Sequence, residues 1–441
     1  MAVTEAPRIV TSRLGYEDSH TLERYLATGG YEGLRKALTM TPQQVAQEVD
    51  AVSLLGRGGA GFPAGRKWSM LRKAPTTYLV VNGDESEPAT FKDHMLIEGD
   101  PHQIIEGAII AAYAIGAAAA FLFCRGEFAL GYERLLQACN EAYEHGALGA
   151  DIFGSGFSLD LVIHPGAGAY ICGDETGLLE SLEGKRGFPR IKPPYFPAAI
   201  GLYGEPTIVN NVETMANLPW IILNGGEAFA ALGQGSSAGT RVFALSGHVE
   251  HPGWYEIEMS KTTFRDLIYD PSLGGGVRDG RELKMFIPGG ASAPWFFPEH
   301  LDIGLDQEAV GKAGSMLGSG SVVVMDETTC AVRAAWRITR FFARESCGQC
   351  TPCREGSGWA EKVLRRIEDG YGREEDLDLL MDMCDNIAPG LGWPPKQTTI
   401  CPLGPSIPSP IVSGINRFRD EYLLHVKEGG CPLPPHEVRR G

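Results

Sequence analysis

At 441 residues the chain exceeds what one hydrophobic core usually supports, so roughly two to four domains are expected. Its 43% hydrophobic content is ordinary for a soluble protein, and a net charge of −16, from 39 basic against 55 acidic residues, disfavours binding to a phosphate backbone; nucleic acid is not an expected partner. Ten cysteines are too sparse for a small secreted disulfide scaffold and fit a reducing compartment, and residues 1–8 have neither a signal core nor the basic, acid-free pattern of a transit peptide.

In chain order, Val45, Val49, Val52 and Leu55 fall near helical spacing and predict an amphipathic helix over 42–55. The run Gly56 to Trp68 comes next, with a G-x-G-x-x-G at Gly56, Gly58 and Gly61. A Rossmann fingerprint needs a strand before and a helix after, whereas here a helix comes before and Phe62-Pro63 interrupts the residues after it. The glycines still let backbone N–H groups approach a ligand closely, and Arg57, Arg66 and Lys67 add positive charge for phosphate.

A short apolar strand over 78–82 ends in Asn82-Gly-Asp-Glu-Ser-Glu-Pro88, which places Asn82, Asp84, Glu85 and Glu87 where ligands bind in open α/β sheets. A helix is expected over 101–114, a strand over 119–124, a helix over 127–145 and a third strand over 159–163. The charge-free segment Gly107 to Phe123 is shorter than the roughly 20 apolar residues of a membrane span and reads as a buried helix and strand. The third strand runs into Gly166-Ala-Gly-Ala-Tyr-Ile-Cys-Gly-Asp-Glu-Thr176 and a helix to Glu183, repeating the order strand, glycine loop, carboxylates, helix. His164 reads as a strand-end histidine more readily than a catalytic one. Residues 186–206 form a proline-rich loop, and Asn210-Asn211 opens a helix to about Leu223, where paired amides can cap the helix or hold a ring ligand.

The glycine tract 233–239 marks a boundary, followed by short strands over 241–246, 253–257, 284–287 and 321–325 and a helix over 263–269, a small α+β unit. Helices over 330–345, 356–368, 374–386 and 410–426 close the chain and carry Cys347, Cys350 and Cys353 at two-residue gaps. Such gaps turn successive sulfurs toward one centre, for which a four-iron cluster is favoured over zinc. Cys401, followed by proline, is the preferred fourth donor over Cys384, which lies on a helix face.

Four motifs in order, Arg57 to Trp68, Asn82 to Pro88, Gly166 to Thr176 and Glu345 to Gly356, resemble the NADH-binding flavoprotein (F-type) subunit of respiratory complex I over nearly the whole chain. The resemblance implies an α/β, Rossmann-like FMN- and NADH-binding domain with an atypical glycine-rich loop (1–238). A ubiquitin-like β-grasp domain (239–327) and a C-terminal four-helix bundle with one [4Fe-4S] cluster (328–441) would follow. It implies FMN contacts at Gly56, Gly58, Gly59, Lys67, Asn82, Asp84, Gly173, Asp174, Asn210 and Asn211. NADH contacts fall on Phe62, Glu87, Tyr170, Glu175, Lys192 and Phe196, and cluster ligands on Cys347, Cys350, Cys353 and Cys401. The chain departs from the family at Asp174, where glutamate is usual, at Tyr195, which looks inserted, and in a longer loop before Cys401.

The implied reaction is hydride transfer from NADH to FMN and one-electron transfer through the cluster toward quinone, with no catalytic side-chain acid or base. The implied partners are a [2Fe-2S] thioredoxin-like subunit and a large multi-cluster iron-sulfur subunit, on the cytoplasmic side of a bacterial inner membrane without a span of its own. Two other readings are a diaphorase subunit of a soluble NAD-linked hydrogenase or formate dehydrogenase, and a non-enzymatic zinc-thiolate scaffold. The first often carries extra iron-sulfur segments, but no cysteine precedes the glycine loop here and only Cys431 follows Cys401.

Overall fold

A computed structural model describes residues 8–234 and 237–433; the expectations for the N-terminal residues 1–7 and for 235–236 in the glycine tract lie outside them. Its first sheet is parallel, with β1 Tyr78–Gly83, β2 Ala119–Cys124, β3 Asp160–Pro165 and β4 Thr207–Asn211 in the order β3-β2-β1-β4. Helices Lys92–Gly99 and Pro101–Ile115 connect β1 to β2, and helix Ala129–Glu144 connects β2 to β3. The chain steps outward from β1 to β3 and then returns to the other side of β1. The gap between the ends of β1 and β4 is therefore a topological switch point, where open α/β sheets form a ligand crevice.

Residue alternation assigns the two faces of this sheet to different cores, as the period of two requires. Leu79, Val81, Ala120, Leu122 and Ile208 pack with the helices of the first half. Val80, Phe123 and Val209 face the other way, into a core shared with Leu178 and Leu179 and with Ala331, Phe342, Leu364 and Ile411 of the C-terminal helices. Helix Pro101–Ile115 is buried along most of its length, which explains the charge-free stretch read from the sequence. Gly107 is required there, since a Cβ would lie 2.0 Å from the Met215 carbonyl oxygen.

A second sheet contains β5 Thr240–Gly247, β6 Gly253–Glu258, β7 Leu283–Ile287 and β8 Ser321–Asp326 in the order β6-β5-β8-β7. Its central pair β5 and β8 is parallel, the outer pairs are antiparallel, and helix Phe264–Tyr269 packs on it through Phe264, Leu267 and Ile268. Helices Ala331–Glu345, Thr351–Glu368, Glu375–Ile387 and Pro408–Glu428 pack side by side beyond it.

Two expectations need correction. Asn210 and Asn211 belong to β4, a strand that the sequence pattern does not announce: Asn210 pairs with Val81 and Asn211 with Asn82, and only then does Asn211 cap helix Val212–Ala216. The second C-terminal helix begins at Thr351, not residue 356, because Pro352 occupies its first turn, where a missing N–H costs nothing, so Cys353 is helical.

Candidate functional site

All four parallel strands deliver their C-terminal ends to one edge. Asn82 at the end of β1 lies between Phe123 of β2 and Asn211 of β4, and β3 ends at Pro165, opposite Cys124. Over this edge lies the loop from Gly56 to Pro63, closed by a Leu55–Pro63 bridge. Gly59 and Gly61 have φ of 125° and 64°, a region that favours glycine. Gly58 approaches β4 so closely that a Cβ would stand 3.1 Å from Asn211 Cβ, and one at Gly56 would stand 3.1 Å from the Phe62 carbonyl. Backbone here comes as near to the sheet edge as side-chain-free residues permit.

The loop is anchored by Arg57, which corrects its expected role. Its side chain is fully buried and donates to the Thr240 carbonyl at 2.7 Å, while its amide donates to Thr214 Oγ1 at 2.9 Å. Burial lowers its pKa to about 10, against the pull of Glu213. A guanidinium held between the two sheets is not available to a phosphate at the surface. Arg66 is exposed. Lys67 does face the edge: its ammonium donates to the Val209 carbonyl at 2.8 Å and to Glu175 at 2.7 Å.

Glu175 also accepts from Lys192 at 2.7 Å, so one carboxylate gathers Lys67 and the proline loop. Burial would raise its pKa, but the two ammonium groups outweigh burial and hold the carboxyl at about 2. Asn82 donates to the Gly173 carbonyl at 2.9 Å, tying β1 to the loop after β3. Asn211 Nδ2 donates to Asp93 at 2.6 Å, and Trp68 Nε1 donates to Asn210 at 3.0 Å. Asp93 and its buried neighbour Lys92, whose ammonium lies 2.8 Å from Glu213, complete this network. Neither is singled out by sequence; their only signal is a pair of charges opening a helix after the acidic tip.

The carboxylates after β1 separate into different roles. Glu85 is consumed as a helix cap, accepting the amides of Lys92, Asp93 and His94 at 2.8–2.9 Å, and is therefore not a ligand group. Among the described residues, Asp84 keeps one buried oxygen without a partner, and burial raises its pKa to about 7 although Arg125 pulls it down. Glu87 accepts from Tyr170 O–H and from the Ser292 amide, each at 2.7 Å, with its pKa raised by burial. Asp174 spends an oxygen on capping its own helix, accepting from Thr176 and Gly177 amides at 2.9 and 3.1 Å. Phe62 and Phe196 expose 42% and 50% of their surface, leaving ring faces open for stacking. His164 stacks on Phe123 at 5.5 Å, at the end of β3.

The cysteines meet across three segments. Cys347 and Cys350 lie between two helices, where Gly348 turns at φ of 81°, Cys353 is in the first turn of Thr351–Glu368, and Cys401 precedes a short turn at Leu403–Ser406. Cys353 and Cys401 are 5% and 6% exposed. Burial lifts the Cys401 thiol to about 12, with further repulsion from Cys353 and Cys347, and lifts Cys353 to about 11, with Cys350 and Cys347 adding to it. Cys401 thus lies near Cys347 and Cys353, and Cys353 near Cys347 and Cys350. Cys384 lies elsewhere in the core, its thiol raised by burial alone.

Tyr170 joins the two halves. Its amide donates to Glu345 at 3.0 Å, two residues before Cys347, while its hydroxyl reaches Glu87 and its ring meets Phe341 and Phe342 at 5.4 and 5.9 Å. The glycine cradle and the partnerless Asp84 oxygen, which can accept an N–H from a ring, fit a flavin; four converging thiols fit a cubane cluster. Such a fold and site define a flavin-dependent oxidoreductase subunit with an iron-sulfur centre.

Comparisons agree. The family profile described as the Nuo51 FMN-binding domain matches residues 49–220, and that of the NADH-ubiquinone oxidoreductase-F iron-sulfur binding region matches 333–425. The F-type subunit of NADH-quinone oxidoreductase in Mycobacterium tuberculosis (strain ATCC 25618 / H37Rv) is 52% identical over 423 residues, covering 95% of this chain and 92% of the relative. The NADP-reducing hydrogenase subunit HndC of Solidesulfovibrio fructosivorans is 44% identical over 427 residues, 96% of this chain and 84% of that one. A crystal structure of NAD+-reducing [NiFe]-hydrogenase in the H2-reduced state superposes with a TM-score of 0.80 at 33% identity, covering 94% of this chain and 67% of that one. The chain belongs to the family of F-type NADH-quinone oxidoreductase subunits.

Proposed function

We infer that the chain is the NADH-oxidising flavoprotein subunit of a complex I, using the sheet edge for FMN and NADH and Cys347, Cys350, Cys353 and Cys401 for a [4Fe-4S] cluster. The reading is carried by Tyr170, which hydrogen-bonds Glu87 on the nucleotide side and Glu345 beside the cysteines. When bound, FMN supplies a two-electron hydride acceptor and the cluster a one-electron carrier toward quinone.

The chain's own work is binding and orientation. Amides of Gly58, Gly59 and Gly173 and the Lys67 ammonium serve flavin phosphate and ring, and Gly56, whose amide donates to the Phe62 carbonyl at 3.0 Å, shapes the loop for them; Asn82, Asp84, Asn210 and Asn211 offer hydrogen bonds at the strand ends, while Asp174 acts through its helix cap. Phe62 and Phe196 offer stacking faces to the nucleotide, with Glu87, Tyr170, Glu175 and Lys192 around it. No side chain needs to move a proton at the reacting atoms, so rate comes from holding the rings in register.

The finer architecture follows the same reading. The order β6-β5-β8-β7 with a parallel central pair and one packed helix supports a β-grasp unit over 239–327, and the four packed C-terminal helices support a bundle over 328–441, after an FMN and NADH unit over 1–238. A [2Fe-2S] thioredoxin-like subunit and a large multi-cluster iron-sulfur subunit would accept the electrons, at the cytoplasmic face of a bacterial inner membrane. Among the described residues no helix is long and apolar enough to cross a membrane, which suits a peripheral subunit.

The test is NADH–ferricyanide reduction by the purified full-length chain, together with flavin and iron content. About one FMN and about four irons per chain are expected. Protein without flavin absorbance, carrying zinc at these four cysteines, overturns the reading.

A further inference from the structure

A second cysteine cluster lies at the other end of the C-terminal helices. Cys330 is the N-cap of helix Ala331–Glu345, Glu368 is the last residue of Thr351–Glu368, and His425 sits in the last turn of Pro408–Glu428. Cys431 comes immediately after Gly429 and Gly430, whose φ values of 70° and 138° fold the chain back on itself. The ligand atoms of these four residues all lie within 4.8 Å of one another. The helix Ala331–Glu345 has 15 residues and separates this cluster from Cys347 by about 22 Å, so it is distinct from the iron-sulfur cysteines.

Three edges of the cluster lie close to those of a zinc tetrahedron. Cys330 Sγ lies 3.2 Å from His425 Nε2 and 3.8 Å from a Glu368 oxygen, and that oxygen lies 3.6 Å from His425 Nε2. Zinc bonds of about 2.3 Å to sulfur and about 2.0–2.1 Å to nitrogen and oxygen give tetrahedral edges of about 3.3–3.8 Å. The surrounding groups orient the donors. His425 Nδ1 donates to the Glu421 carbonyl at 2.7 Å, which leaves Nε2 with its lone pair toward the sulfur. Glu368 uses its other oxygen for Arg333 Nε at 2.5 Å, and the Arg333 amide donates to Cys330 Sγ at 3.3 Å; burial and the Glu368 carboxylate push the metal-free Cys330 thiol up, so a bound metal displaces its proton. Cys330 and His425 are 1% and 0% exposed, whereas Cys431 is only partly buried, so the site opens to solvent on the side of the tail.

We propose that Cys330, Glu368, His425 and Cys431 form a structural zinc site that fastens the C-terminal segment to the start of the cysteine-bearing helices. Four protein donors of mixed sulfur, nitrogen and oxygen type suit Zn²⁺ and leave no position for a substrate. The metal would close a contact between residues 95 positions apart and fix the end of the last helix.

The experiment is elemental analysis of the purified untagged full-length chain, with zinc K-edge absorption spectroscopy, on the wild type and on Cys431→Ser. Cys431 lies past the last helix at the margin of the core, and serine is close to its size, so the substitution leaves the buried packing in place. About one zinc per chain with two sulfur and two nitrogen or oxygen neighbours is expected in the wild type. Cys431→Ser should lose zinc at least about fivefold while iron, FMN and NADH–ferricyanide reduction stay at wild-type levels. Wild-type protein from zinc-replete growth that contains no zinc overturns the proposal, as does full zinc retention in Cys431→Ser. So does a Cys330–Cys431 disulfide found by mass spectrometry in the purified chain.

Discussion

Replacing Glu175 by glutamine changes one charge and almost no volume, at a position where two lysines converge at 2.7 Å. In the wild type the carboxylate leaves this trio at a net +1; in the variant the net charge becomes +2. Holding the carboxyl at about 2 instead of 4.5 corresponds to about 3 kcal/mol of favourable interaction. With 25% of the side chain exposed, solvent screening reduces the expected loss of stability to about 1–2 kcal/mol. The gain appears in nucleotide choice. One added unit of positive charge at about 6 Å, in a dielectric of about 40, attracts a phosphate of charge about −1.5 to −2 by about 2–3 kcal/mol, or roughly 30- to 150-fold. Steady-state kinetics with ferricyanide as acceptor should show kcat/KM for NADPH rising by that order in Glu175→Gln, with the rise shrinking as ionic strength increases. An unchanged preference, accompanied by the expected drop in urea midpoint, would show that Glu175 only braces the two lysines and would refute its role in discrimination.

Cys401→Ser should abolish the low-temperature electron paramagnetic resonance signal of the reduced cluster and cut bound iron, whereas Cys384→Ser, in the adjoining core, should leave both in place; the reverse result would exchange the fourth ligand. Asp84 has a folded-state pKa raised from 3.8 to about 7, so its contribution favours the folded state at low pH and is lost as pH rises through about 7. Flavin-free wild type should therefore lose stability between about pH 4 and about pH 7, and Asp84→Asn should flatten that slope in urea titrations at several pH values; an identical slope in the variant would remove Asp84 as its source.

Much of the architecture was legible because local pattern and tertiary role agree. The strand over 119–124 matches β2 end to end, since an apolar run between a helix stop and Arg125 has one reasonable fate in a parallel sheet. β4 was missed for the opposite reason: Thr207–Asn211 is short, comes after a proline-rich loop, and ends in two asparagines that are also good helix caps. Arg57 shows a second limit. Its place among glycines suggests phosphate, but its partner is a carbonyl 183 residues away, and no local pattern records that. Glu85 groups by sequence with its acidic neighbours, although only the fold shows that the following helix turns its amides toward it. The cluster at Cys330, Glu368, His425 and Cys431 is invisible for the same reason as Arg57, because Cys330 and His425 meet only when distant helices end together.

The apolar second face of the parallel sheet bears on how the protein is made. Val80, Phe123 and Val209 share their core with residues from 331 onward, so a nascent chain that has completed all four parallel strands still presents an uncovered apolar surface. Contacts spanning that much sequence are slow to form because loop closure precedes their reward. The nucleotide half therefore waits for the cysteine-bearing helices, and chains truncated before residue 331 should be aggregation-prone, not smaller working flavoproteins. Synthesis of the nucleotide half alone is thereby self-limiting, because the second face of its strands is covered only by helices that are made last.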